Sequence, residues 1–155
     1  MKSISELRQD LVSGDWVVIA TGRSKRPNDF IVPKRPAFAQ PKSTCPFERR
    51  FSNAHVVYAK DGKAAGSDWW AQTVPNKYPA FDKGICAAFN KKGPYIVTNG
   101  AGAHEVVVTA DHTRSYATMT DQEAALVVHM YQDRFRTLQD DNCVKYISLF
   151  HNHGR

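Results

Sequence analysis

The sequence predicts an α+β domain, a mostly antiparallel sheet with at least one long helix packed on a face. Three observations predict it. Short runs of β-branched and aromatic residues recur along the chain, bounded by glycine, asparagine or aspartate turns. Only the segment after Thr120 combines a helix start signal with sustained apolar spacing at three and four residues. Finally, 155 residues suffice for one domain with a real core and hardly for two.

The first strand is predicted in "GDWVVIATG", from Asp15 to Thr21, entered by a turn at Ser13-Gly14 and left at Gly22. From Pro27 to Pro46 there are five prolines and little apolar periodicity, which predicts an irregular excursion over the surface. "HVVYAKDGKAAGSDWWAQTVPN" turns at Asp61-Gly62 and predicts strands on either side. "YIVTNGAGAHEVVVTADH" predicts a strand pair around a glycine-rich connection, with Val106, Val107 and Val108 as a well-buried strand core.

The helix begins at Thr120. Thr-Asp-Gln-Glu is a capping box, in which the Thr120 hydroxyl takes the Glu123 amide and the Glu123 carboxylate returns the bond, with Met119 and Ala124 placed for a hydrophobic staple. Ala124, Val127, Val128, Tyr131, Phe135 and Leu138 predict the inner face, and Asp133, Arg134 and Arg136 the wet one. His129 reads as structural. "CVKYISLFHN" then predicts a strand, with Val144, Tyr146, Ser148 and Phe150 on one face and Lys145, Ile147, Leu149 and His151 on the other.

Composition narrows the class. With 42% hydrophobic and 23% charged residues the chain is neither disordered nor collagenous. No apolar run approaches the roughly 20 residues of a membrane span, and the first residues lack the apolar stretch of a signal peptide. A cytoplasmic location is the expectation. Three widely spaced cysteines, Cys45, Cys86 and Cys143, make no disulfide framework and fit a reducing compartment.

Lysine and arginine number 21 against 15 acidic residues, a net charge of +6 that attracts anions. The charge gathers in "GRSKRPNDFIVPKRP" and "CPFERR". A solvated basic face is the plain reading of such runs. A nucleic-acid-binding module is the other, although no groove-reading helix or stacking platform supports it, so nucleic acid is not the expected partner.

In "GRSKRP", Arg23 and Arg26 follow a strand three apart, so both guanidiniums can reach one side of a polyphosphate. The alternative is a basic surface turn. Asn76 in "VPNKYPAF" sits at a turn before Pro79, where its amide presents a donor and an acceptor to a base edge or closes an Asx turn. In the terminal "FHNHGR", His151 and His153 project to one side of a strand, but two metal ligands without a third are incomplete.

"SGDWVVIATGRSKRP", "CPF", "VPNKYPAF", "HEVVVTADH" and a strand ending in "FHNHG" follow one another in an order and spacing that resemble the N-terminal half of the galactose-1-phosphate uridylyltransferase family. That family belongs to the HIT-like nucleotidyltransferases, and the resemblance runs from about Leu7 to Arg155. It implies that residues 1–155 are the N-terminal part of a HIT-like uridylyltransferase domain, cut short of a Gly-x-Ser-x-x-His-Pro-His loop. The catalytic nucleophile, a histidine of that loop, is then expected beyond Arg155, with no catalytic residue inside this chain.

The same resemblance implies a nucleotidyltransferase of galactose metabolism. It moves a uridylyl group between UDP-hexose, such as UDP-glucose, and hexose 1-phosphate by double displacement through a nucleotidyl-histidine. A related ADP-sugar phosphorylase or adenylyltransferase is the alternative. Arg23 and Arg26 match nucleotide-binding arginines, Asn76, Lys77 and Tyr78 fall at the base and ribose contacts, and Asn152 at a phosphate contact. Some relatives carry an acidic residue where Lys77 stands, which leaves base and sugar specificity open.

A structural zinc is implied at Cys45 and His112, but Glu48 replaces the second cysteine of the family pair. Carboxylate is an acceptable zinc ligand, so Cys45, Glu48 and His112 form the expected set. The other outcome is loss of the metal, with Cys45 as a small buried hydrophobe. The partners implied are UDP-hexose and hexose 1-phosphate, without a membrane, and a second copy of the chain as a homodimer.

Overall fold

Asp10 accepts the amide hydrogens of Val12 (2.9 Å) and Ser13 (2.8 Å) through Oδ1. This reverses the chain between strands β1 (Glu6–Gln9) and β2 (Trp16–Ile19), which pair antiparallel with Glu6 opposite Ile19. The computed structural model describes residues 5–20, 41–81, 83, 86, 88–111 and 115–151. Within it β1 and β2 join β5 (Asn90–Lys92) and β6 (Tyr95–Asn99) in a four-stranded sheet of order β2-β1-β6-β5. A second sheet holds β3 (Val56–Tyr58), β4 (Ala71–Pro75) and β7 (Glu105–Thr109) in the order β3-β4-β7. All strand pairs are antiparallel. With one α-helix among the described residues, α1 (Asp121–Gln139), the class is α+β as the sequence predicts.

Turn chemistry accounts for the hairpins. Gly93, at φ 62°, occupies the left-handed region that lets Lys92 face Tyr95 across the β5–β6 turn. β6 and β7 do not pair with each other, contrary to the predicted strand pair around the glycine-rich connection: they belong to different sheets. Gly100 begins the crossing. Its amide donates to the Ser5 carbonyl at 2.6 Å, and a Cβ on Gly100 would lie 2.8 Å from Ser5 Cβ, so only glycine lets the two backbones come this close.

The capping box at Thr120 is present in both directions, with the Glu123 amide donating to Thr120 Oγ1 (3.3 Å) and the Thr120 amide to Glu123 Oε2 (2.9 Å). Glu123 is buried, and Lys60 Nζ meets its other oxygen at 2.9 Å. The inner face of α1 is turned from the predicted one. Glu123, Leu126, Val127 and Met130 are buried, whereas Val128 and Phe135 are 48% and 45% exposed.

The reason for that turn lies in the supposed wet face. Arg134 and Asp133 bond to Glu105 and to the Tyr58 hydroxyl, which draws their side of the helix inward. Trp70 and Ala71 complete the core beside Leu126, Val127 and Met130, and Val107 and Tyr131 pack against it. Val106, Val107 and Val108 are half-buried rather than fully enclosed.

β1 carries no strand signal in the sequence, because "ELRQ" has no apolar alternation and gains its place from partners on both sides. Residues 144–151 form no strand: among the described residues they join no ladder, and Tyr146, Leu149 and Phe150 are exposed. Cys86 and Cys143 are disulfide-bonded, their Cα atoms 5.3 Å apart, within the usual range for a bridge. Their separation of 57 positions gives no sequence signal, and the bridge departs from the expectation that the three cysteines fit a reducing compartment without a disulfide framework; Cys45 alone is a free thiol. Among the described residues no helix is long and apolar enough to cross a membrane.

Candidate functional site

The β4–β7 ladder ends where Pro75 faces Glu105, and one further bond extends it: the Asn76 amide donates to the His104 carbonyl at 2.8 Å. Proline can end β4 because its missing N–H is not needed at that register. The chain leaves the sheet here and curls back over His104. Asn76 Oδ1 accepts the Tyr78 amide at 2.8 Å, closing an Asx turn. Asn76 Nδ2 lies 3.1 Å from His104 Nε2, and the Ala80 amide donates to His104 Nδ1 at 2.9 Å. The imidazole therefore spans the turn from Asn76 to Ala80. Phe81 continues it against Gly102, where a Cβ would sit 3.6 Å from Phe81 Cβ.

Lys77 and Tyr78 ride on the outside of this turn. Lys77 Nζ stands 5.4 Å from the Tyr78 ring centre, and Tyr78 is 38% exposed. A cation, an exposed aromatic face and a fixed amide thus lie on three consecutive residues. Together they offer charge for a phosphate, a surface for stacking and hydrogen bonds for a base or ribose edge.

The sequence pointed to Asn76 but missed His104, whose ring organises the turn. The signal was the register itself: a histidine one position before the "EVVV" strand, opposite the end of the strand that delivers Asn76.

Cys45 and Glu48 share one turn, the Glu48 amide donating to the Cys45 carbonyl at 3.4 Å, with Cys45 half-buried and its thiol free. They follow a 3-10 turn at Lys42–Thr44. Among the described residues no three histidine, cysteine or acidic side chains gather as metal ligands. Arg23, Arg26, His112, Asn152 and His153 lie outside the described residues. His151 packs edge-on against Tyr116, ring centres 5.1 Å apart. The two residues help line a cavity of about 110 Å³ between β7 and α1, with Thr109 and Tyr131. Burial there, and then a hydrogen bond to Tyr131, push the Tyr116 hydroxyl well above its ordinary pKa.

No protein-family profile matches the chain. Galactose-1-phosphate uridylyltransferase of Thermotoga maritima is 29% identical over 153 residues, which are 97% of this chain and 41% of that protein. ADP-glucose phosphorylase of Arabidopsis thaliana is 27% identical over 155 residues, 96% of this chain and 43% of that protein. A solved structure of a uridylyltransferase superposes with a TM-score of 0.52 at 18% identity, over 88% of this chain and 36% of that one, a likeness of fold. The chain thus spans about two fifths of the length of the curated relatives it matches. The resemblance carried by the motifs is met by similarity over nearly the whole chain, and the family that this chain resembles is that of the galactose-1-phosphate uridylyltransferases.

Proposed function

We propose that the chain is part of a HIT-like nucleotidyltransferase that moves a uridylyl group between UDP-hexose and hexose 1-phosphate in the cytoplasm. The observation that carries the reading is the turn at Asn76. The sheet ends, an amide is fixed by its neighbours, and Lys77 and Tyr78 stand exposed beside it, in a chain similar along 97% of its length to a galactose-1-phosphate uridylyltransferase.

In the proposed reaction a histidine outside these 155 residues attacks the α-phosphorus and carries the nucleotide as a phosphoramidate. The phosphorus–oxygen bond to the sugar phosphate breaks, and a second hexose 1-phosphate reverses the exchange. Two symmetric displacements replace one difficult transfer. Asn76, Lys77 and Tyr78 hold base and ribose, Arg23 and Arg26 the phosphates, and Asn152 the charge that develops on the phosphoryl oxygens. His151 and His153 carry no covalent step. Cys45, Glu48 and His112 would hold a zinc ion; the described Cys45–Glu48 turn supplies two donors, which suits a structural role and enters no step.

Similarity to ADP-glucose phosphorylase favours a second reading, adenylyl in place of uridylyl. Thermal protection separates the two. If UDP-glucose raises Tm more than ADP-glucose at equal concentration, the first reading stands; the reverse order selects the second, and no shift with either removes both.

A further inference from the structure

Tyr78 N–H and Ala80 N–H are backbone donors with no alternative polarity, and they terminate one continuous line of contacts. It runs from Tyr78 N to the Asn76 amide (2.8 Å), on to the His104 ring (3.1 Å) and from the ring to Ala80 N (2.9 Å). The amide brings one oxygen that accepts and one NH2 that donates. A neutral imidazole brings one nitrogen that accepts and one that donates.

Started from Tyr78, the line is consistent until its end. Oδ1 accepts, Nδ2 donates to Nε2, and the ring proton is left on Nδ1, facing the Ala80 N–H. Started from Ala80, Nδ1 accepts and Nε2–H donates, which calls the Asn76 oxygen to the ring and turns its NH2 toward the Tyr78 N–H. With donors at both ends and two links that each convert acceptor into donor, neither arrangement satisfies all three contacts. The two arrangements differ by the imidazole tautomer together with a flip of the amide, so neither changes without the other.

We infer that His104 is a positioning residue that sets nucleobase preference, its tautomer deciding which end of the Asn76 amide is offered to the base. This rests on the proposed reading of Asn76 as a base contact. A uracil edge presents carbonyl acceptors around its N–H, whereas adenine presents an amino donor beside a ring acceptor. An amide whose oxygen and nitrogen exchange places suits one edge or the other. One whose orientation is held by His104 discriminates between them, because the wrong edge leaves a polar group unpaired.

Calorimetric Kd values for UDP-glucose and ADP-glucose are the test, on the protein and on His104→Asn, His104→Gln and Asn76→Ala. Asparagine at 104 retains an acceptor near the Nδ1 position for Ala80 but cannot reach Asn76. It is expected to keep the parent Tm and to shrink the ratio of the two affinities by about tenfold, the scale of one lost hydrogen bond. Glutamine, which reaches toward Asn76, is expected to restore most of the ratio. If His104→Asn fails to fold, the 15N shifts of the His104 ring in the parent decide instead, with one and the same tautomer expected in the UDP-glucose and the ADP-glucose complexes.

Equal affinity of the parent for the two nucleotides overturns the inference. So does a ratio within about twofold of the parent in both His104 variants while Asn76→Ala changes it, or a ring tautomer that switches between the two complexes. If Asn76→Ala itself leaves the ratio unchanged, the base-contact reading falls first and the inference with it.

Discussion

Arg134 closes on Glu105 through two parallel hydrogen bonds, Nε to Oε2 at 2.8 Å and Nη2 to Oε1 at 2.7 Å, and so fastens α1 to the start of β7. The side chains are 14% and 13% exposed, and His55 Nε2 stands 3.4 Å from the same carboxylate. Arg134→Ala leaves a shielded carboxylate without its partner and is expected to cost about 3 kcal/mol of unfolding free energy. Arg134→Lys keeps the charge but loses the fork and is expected to recover less than half of that. Urea denaturation of both variants measures it, and a loss below 1 kcal/mol for the alanine variant would mean that the pair only breaks even with solvent.

Met130 has no exposed surface and Phe135 is 45% exposed, although the two lie on neighbouring stretches of one helix. Met130→Ala is expected to destabilise by about 2 to 5 kcal/mol and Phe135→Ala by less than about 1 kcal/mol. The order of the two denaturation midpoints checks which face is inward, and the face read from apolar spacing alone requires the opposite order.

Alkaline pH is expected to weaken the fold through two tyrosines. A hydrogen bond to Asp133, then burial, raises the Tyr58 hydroxyl above its ordinary 10.0, and burial with the Tyr131 bond raises Tyr116 further. Above about pH 10 the unfolded chain sheds both protons while the folded chain keeps them. The stability they contribute is therefore complete below that pH and is lost as pH rises toward the folded values. In denaturation profiles from pH 8 to 11, Tyr58→Phe and Tyr116→Phe are expected to flatten the decline, and parallel curves for parent and variants would contradict the assignment.

For the nucleotide site, Arg23→Ala and Arg26→Ala are each expected to weaken UDP-glucose binding by about 1.5 to 3 kcal/mol, the scale of hydrogen bonds to charged groups. For the metal, Cys45→Ser and His112→Ala are expected to lower zinc content by elemental analysis. Unchanged binding in both arginine variants, or unchanged zinc in both ligand variants, would send the site elsewhere.

The Cys86–Cys143 bridge spans 57 positions and joins the segment before β5 to the end of α1. Cys143→Ser is expected to cost about 4 kcal/mol by the loop-entropy relation. Thiol titration of the unreduced, denatured protein is expected to find one reactive thiol, that of Cys45, and a count of three would contradict the bridge.

What could be read from the sequence was whatever a short stretch decides alone. Thr120 and Glu123 face each other across a single helical turn, so the cap was legible to the residue. The inner face of the same helix was not, because a salt bridge to a residue 29 positions away and a tyrosine 75 positions away set its rotation. Asn76 was legible as a turn residue with a spare amide. His104 was not, since its importance comes from a ladder register that places it opposite the end of β4. The run from Tyr146 to Phe150 shows the reverse failure: its strand-like alternation joins no ladder among the described residues, because alternation specifies a face and not a partner.

β1 lies inside its sheet, with β2 on one side and β6 on the other, so Glu6 faces both Ile19 and Asn99. On a ribosome the first partner follows within moments, but the second is about ninety residues away, which at cellular rates of synthesis is a delay of roughly 5 to 20 seconds. For that interval the nascent hairpin carries an open edge, which chaperones or a neighbouring nascent chain can occupy before β6 arrives. Substitutions that loosen the β1–β2 hairpin therefore act on the yield of folded protein before they act on anything the finished protein does.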